Sequence, residues 1–200
     1  MALGKQAKTL SQKQIEVAMS YLATTRHGLR NQVIFLLSTK AGLRAIEIAS
    51  LTWSMVVDAS GELGNSINLT NDASKGSKGG RVIPLNKELR ATLLQWFNQS
   101  KQRKGFDLRT DYVVTTERSR STSAQSMVNC FANWYSDLGF VGCSSHSGRR
   151  TFITNAARKI STVGGSVRDV QLMAGHSNLK TTQRYIEVDA ECQRRVVELV

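Results

Sequence analysis

His176 and Tyr185 bound the stretch HSNLKTTQRY and lie nine positions apart. A phenol becomes a nucleophile when a base takes its proton or a cationic field stabilises the phenolate, and histidine is the side chain that moves protons near neutrality. A tyrosine held beside a histidine in a strongly basic chain suggests attack on a phosphate. The plain alternative is that Tyr185 packs its ring and His176 caps a helix, the commoner outcome for an isolated pair. The elements that carry the two residues are legible. Val170 to Ala174 reads as the end of a helix, Gly175 as its C-terminal stop, and Ser177 or Asn178 as the cap of a short second helix that carries Tyr185. The connection is short and stiff, so it fixes the histidine relative to the tyrosine.

Composition narrows the partner. The 200 residues include 27 Lys and Arg against 15 Asp and Glu, a net charge of +12 that favours a polyanion, DNA or RNA first. The cations are segregated. Val17 to Ile46 holds Arg26, Arg30, Lys40 and Arg44 without an acid, and Leu138 to Arg168 holds Arg149, Arg150, Arg158, Lys159 and Arg168 without an acid. No strongly basic amphipathic helix suits a membrane surface, and no apolar run reaches the roughly 18 residues of a membrane span. MALGKQAKTLSQKQ lacks the apolar centre of a signal peptide, and Cys130, Cys143 and Cys192 are odd in number with no CxxC spacing. Reduced thiols and a cytoplasmic location are expected. With 40% hydrophobic residues and 21% charged ones the chain is globular, and its single proline, Pro84, and lack of a low-complexity linker mark no internal boundary.

The chain reads as helices interrupted once by strands. Ser11-x-x-Gln14 is a capping box ahead of Ile15, Ala18, Met19 and Leu22, spaced for one helix face. Val33 to Leu37 is a central buried helix ended by Gly42. Arg44 opens the next helix, with Ile46, Leu51 and, less so, Ile48 facing the core. A cation at a helix start is locally unfavourable, which invites a functional reason for it. Met55 to Pro84 changes character: Val56-Val57, Ile67 to Leu69 and Arg81 to Ile83 read as three short strands, with Lys75 and Lys78 on the second, Gly/Ser-rich turn. Tyr112 to Val114 is a further short strand. Asn86 caps a helix that buries Leu89, Leu93, Trp96 and Phe97. Thr122-x-x-Gln125 opens another, whose Phe131, Trp134 and Tyr135 belong to the core and not to base stacking. Ser144 and Ser145 are candidate caps for the helix of His146 and Arg149, three apart and so on one face. Ser166 and Asp169 cap the helix VQLMA.

The polar residues now form a set: Arg44, Lys75 or Lys78, His146, Arg149, His176 and Tyr185. AGLRAIEIASLTW, SKGSKGGRVIPL, HSGRRTFIT and MAGHSNLKTTQRY follow one another from Gly42 to Tyr185. In type, order and spacing they resemble the tyrosine recombinase family, also called the phage integrase family. The resemblance implies an α+β, mostly helical catalytic domain with a small three-stranded antiparallel sheet. It implies site-specific cleavage and rejoining of double-stranded DNA through a 3′-phosphotyrosine, by a homo-oligomer, a tetramer on DNA, of the kind carried by mobile genetic elements. Tyr185 would be the nucleophile, Arg44 and Arg149 would grip the non-bridging oxygens, His146 would act as acid and base, and His176 would hydrogen-bond the scissile phosphate. The family's hairpin lysine, which protonates the 5′-leaving oxygen, aligns with Lys75, with Lys78 a near rival.

The chemistry supports this transfer. Two guanidiniums can hold the oxygens of a phosphodiester bidentately and stay charged at any working pH. Donors of this kind supply large catalytic effects without a metal or other cofactor, and the acids are too scattered for a metal-dependent nuclease. Glu47 is expected to orient its neighbours or complete a helix start. Two positions depart from the family pattern: Gly148 replaces an apolar residue, weakening the helix and removing a core contact, and Arg150 replaces a histidine. The chain begins about where the family's catalytic domain begins, so residues 1–200 are expected to be that domain without the N-terminal core-binding domain. A type IB topoisomerase would share the chemistry, and a non-catalytic DNA-binding protein would share the fold.

Overall fold

The computed structural model describes residues 6–74, 80–117, 119–185 and 196–198. Lys75, Lys78 and Cys192 lie outside the described residues, as does nearly all of the tail after Tyr185. The organising element is α2 (Gly28–Lys40), in which every residue from Val33 to Thr39 is buried. A helix apolar on most of its circumference must be covered on several sides. Here it is covered by α1 (Gln12–Ala23), α4 (Lys87–Lys101) and α6 (Ser147–Lys159). Ser11 and Gln14 form the expected reciprocal box at the start of α1, and Asn86 Oδ1 accepts the Glu88 and Leu89 N–H groups at the start of α4. At α5 (Ala124–Asp137) the cap is Ser123, accepting from Ser126 N–H, one residue later than the sequence suggests. Phe131, Trp134 and Tyr135 of α5 are buried, as core residues should be.

Among the described residues the sheet has two strands and not three. β1 (Ser66–Leu69) pairs antiparallel with β2 (Arg81–Pro84), placing Ile67 opposite Ile83 and Asn68 opposite Val82. Ile67, Leu69 and Ile83 are buried while Val82 is 60% exposed, the alternation of a one-sided hairpin. The expected first strand fails for a local reason. Trp53 is fully buried against Phe97, ring centroids 4.9 Å apart, and residues Trp53–Met55 coil into a 3₁₀ turn that carries the indole there. Val57 then meets only Leu63, because the Asp58 carboxylate accepts the Ser60 and Glu62 N–H groups and closes the turn at once. Tyr112 similarly makes a single bridge, to Thr52. Across the base of the β1–β2 connection, Asn71 Oδ1 accepts Gly80 N–H at 2.8 Å.

A second, smaller apolar cluster joins α6 to α7 (Val167–Ala174). Ile153, Val170 and Ala174 are buried there, with Phe152, Met173 and the Tyr185 ring packed on them. Ser166 and Asp169 make the expected box at the start of α7. Gly175 closes α7 at φ 61°, a left-handed conformation that suits glycine. Asn178, not Ser177, caps α8 (Leu179–Gln183).

Gly148 overturns its expected role. It is buried where α6 crosses α2, and a Cβ there would lie 2.3 Å from Ser38 Oγ and 2.9 Å from Ser38 Cβ. The missing side chain therefore permits the helix crossing and does not weaken it. The Ser38 hydroxyl can rotate away, but its Cβ cannot, so Gly148→Ala forces the helices apart. Overpacking of this kind costs about 1–3 kcal/mol, more than the small propensity gain of alanine in a first turn. The melting temperature should fall on the order of 5 °C. Thermal unfolding followed by circular dichroism checks this, and an unchanged or raised midpoint would show that the crossing can relax.

Candidate active site

Arg44 is the N-cap of α3 (Ala45–Ser50), in extended conformation. Its unfavourable position at a positive helix end is resolved by Glu47, three residues on. The Glu47 carboxylate accepts the Arg44 N–H at 2.8 Å and the Arg44 Nη1 at 2.7 Å. Ile48 and Leu51 of this turn are fully buried, whereas Ile46 is 42% exposed, so the two isoleucines exchange the roles expected of them. The register is set by Glu47, which is wholly buried and must point inward.

A second arginine meets Glu47 from the sheet. Arg81 Nη1 and Nη2 donate to the two Glu47 oxygens at 3.0 Å each, and Arg81 Nε donates to the Met173 carbonyl at 2.8 Å. Burial alone would raise the Glu47 carboxyl. The hydrogen bonds and charges of Arg81 and Arg44 outweigh it and hold the group below its ordinary value. Glu47 thus does both things expected of it, completing a helix start and orienting its neighbours. Arg81 was not singled out from the sequence. Its only signal is a cation entering a strand whose partner strand faces the core.

Arg149 sits on the first turn of α6 and is 4% exposed. Nη1 donates to the Gly42 carbonyl at 2.6 Å, and Nη2 donates to the Ala174 carbonyl at 2.6 Å and meets His176 Nε2 at 2.9 Å. Gly42 holds its carbonyl there at φ 67°, with Phe152 so close that a Cβ would lie 2.4 Å from the ring. Burial, then the charge of Arg44, push the Arg149 guanidinium down to about 10, so it stays charged at neutral pH.

His176 is held on every side. Gln171 clamps its backbone, accepting His176 N–H at 3.1 Å and donating its side-chain amide to the His176 carbonyl at 2.8 Å. Its Nδ1 lies 2.9 Å from Thr182 Oγ1. The ring stacks on Tyr185, centroids 5.6 Å apart and planes 17° from parallel. Burial, then the charges of Arg149, Arg44 and Arg81, push the imidazole down to about 4, so it is neutral near pH 7. The short α7–α8 turn therefore fixes the pair as its sequence suggests, and His176 caps no helix.

His146, Arg149 and Tyr185 line one open cleft of about 340 Å³, together with Arg150, Arg184 and Thr181. His146 is the exposed N-cap of α6. Its side chain makes no capping bond, and neither Ser144 nor Ser145 takes the cap position expected of them; the Ser144 N–H donates to Ser147 Oγ instead. Arg150 ties the N-terminal segment across this cleft by donating to the Ala7 carbonyl at 2.9 Å. Five of the six expected site residues thus occupy one region: Arg44, His146, Arg149, His176 and Tyr185. The sixth, Lys75, belongs to residues 75–79 between β1 and β2, outside the description. Among the described residues no helix is long and apolar enough to cross a membrane.

The sequence matches the phage integrase family over residues 8–191, and the chain belongs to that family. Curated relatives include the tyrosine recombinase XerA of Thermococcus onnurineus, 28% identical over 193 residues that cover 96% of this chain and 62% of the relative. The tyrosine recombinase XerC of Yersinia pestis is 30% identical over 150 residues, 74% of this chain and 45% of the relative. The chain therefore spans about 62% of the length of the XerA relative. Among solved structures, XerA recombinase superposes with a TM-score of 0.74 at 20% identity, covering 96% of this chain and 64% of that one. The Tn1549 transposon integrase, solved in complex with a circular intermediate DNA, superposes at 0.75 with 19% identity, covering 98% of this chain and 66% of that one. The mostly helical α+β fold is that of these recombinases.

Proposed function

We propose that this chain cleaves and rejoins double-stranded DNA at specific sites, with Tyr185 forming a 3′-phosphotyrosine and releasing a 5′-hydroxyl. The observation that carries this is the convergence on one cleft of Tyr185, His146 and Arg149, with His176 stacked on the tyrosine and bonded to the arginine. A phosphodiester entering the cleft would meet Arg149 and, from α3, Arg44. Their guanidiniums are preorganised by Gly42, Ala174 and Glu47, so little rearrangement precedes the gain in transition-state charge stabilisation. The exposed imidazole of His146 is the acid–base group free to follow a moving proton. His176, neutral and buried, suits a hydrogen bond to the phosphate better than proton transfer. The net charge of +12 and the DNA-bound Tn1549 integrase support duplex DNA as the partner.

The test is a nicked suicide substrate that lets the cleaved strand diffuse away. A covalent adduct whose labelled peptide contains Tyr185 supports the proposal. Relaxation of any supercoiled plasmid without a preferred site would move the function to a type IB topoisomerase, and no adduct on any duplex would leave a DNA-binding protein.

Lys75 is proposed to protonate the 5′-leaving oxygen. Replacing that bridging oxygen by sulfur removes the need for a proton. Lys75→Ala should cleave the ordinary substrate slowly and the sulfur substrate at close to the wild-type rate, and Lys78→Ala should match wild type on both. Rescue in Lys78→Ala instead would exchange the two assignments. Rescue in neither would take leaving-group protonation away from this connection.

A further inference from the structure

Thr182 is fully buried on α8, and its hydroxyl reaches the His176 ring on the side opposite Arg149. The donors and acceptors around that ring permit one arrangement. A guanidinium only donates, so His176 Nε2, 2.9 Å from Arg149 Nη2, must be the acceptor. The neutral ring then carries its proton on Nδ1, and Thr182 Oγ1 must accept it. A second proton would meet the charges of Arg149 on α6, Arg44 on α3 and Arg81 on β2, with the Glu47 carboxylate opposing them. Tyr185 covers the ring face and offers it no charge-compensating group.

This arrangement leaves Nε2 without a proton on the side where an oxyanion would bind. A neutral ring can donate to an oxyanion only as the Nε2–H tautomer. We propose that Thr182 is a positioning residue for His176. Its hydroxyl accepts from Nδ1–H while Arg149 occupies Nε2, and turns to donate to Nδ1 when an oxyanion takes that place. In net terms one proton is lost from Nδ1 and one is gained at Nε2, with bulk solvent as the common proton pool, so the ring stays neutral. A hydroxyl can do this because it is both donor and acceptor. A methyl group of the same shape can do neither. The consequence for strand cleavage rests on the function proposed above, whereas the tautomer does not.

Nitrogen-15 NMR of the histidine rings tests it, using wild type, Thr182→Ser and Thr182→Val with inorganic phosphate as the oxyanion. Wild type and Thr182→Ser should show Nδ1–H at His176 in the free protein and Nε2–H at saturating phosphate. Thr182→Val should show a measurable Nε2–H population without phosphate. In cleavage of the suicide substrate, Thr182→Val should be slower by roughly tenfold or more, the scale for losing the partner behind a functional histidine, and Thr182→Ser should be within a few-fold of wild type. An Nε2–H ring in free wild type overturns the proposal. So does a doubly protonated ring with phosphate, a ring or Arg149 signal that phosphate does not move, or a valine variant with the wild-type tautomer. Should the valine variant not fold, the wild-type and serine spectra still decide. Absence of cleavage in every form, with the expected spectra, would count against the enzymatic function and leave the tautomer assignment standing.

Discussion

Tyr185→Phe is expected to form no covalent adduct with a nicked suicide duplex while binding that duplex nearly as wild type does. The substitution deletes one oxygen. The ring that remains keeps its stack on His176 and its place in the cluster of Ile153, Val170 and Ala174. The Thr154 hydroxyl bonds the backbone carbonyl of residue 185, which is untouched. Neither the fold nor the cationic lining of the cleft should change, so a loss of adduct isolates the nucleophile. Denaturing electrophoresis reads the adduct, and fluorescence anisotropy reads binding under the same salt, because phosphate contacts make affinity salt-dependent. An adduct that persists in Tyr185→Phe would mean that another side chain attacks.

Arg149→Ala should slow single-turnover cleavage by roughly a hundredfold or more, the scale for losing one donor to a developing oxyanion. Arg149→Lys should recover little of it. The structure explains why the lysine is a poor substitute. One planar group spans the Gly42 carbonyl, the Ala174 carbonyl and His176 Nε2, acceptors from two distant parts of the chain, the turn before α3 and the end of α7. An ammonium is a point charge without a fork, and it cannot hold that geometry and a phosphate together. Truncation also leaves those buried acceptors unpaired, at about 1–3 kcal/mol for each, so the alanine variant should melt earlier as well. Assays therefore belong well below its unfolding midpoint. Arg44→Ala should lose cleavage on a similar scale with less effect on stability, since Arg44 is only half-buried and Glu47 retains Arg81. Near-wild-type cleavage by either lysine variant, at Arg44 or Arg149, would remove that arginine from the proposed mechanism.

Local chemistry in the sequence determined much of this protein. The boxes at Ser11 and Ser166, the cap at Asn86, the stop at Gly175 and the central helix at Val33 to Leu37 each depend on neighbours within a few positions, so they are legible in one dimension. The spacing of His176 and Tyr185 across a fixed turn belongs to the same class. So does the set of arginines, histidines and tyrosine whose order carried the family resemblance. The tertiary structure decided what depends on distant partners. Glu47 needs Arg81, 34 positions away, before its burial is tolerable, and that demand turns Ile46 outward and Ile48 inward. Gly148 looks like a weak point in a helix until Ser38 is seen against it. A strand at Val56-Val57 is plausible by pattern and is lost because Trp53 must reach Phe97. The proton on His176 is set by Arg149, 27 positions before it, and by Thr182, six after, because a donor-only group on one nitrogen leaves the ring a single place to carry it.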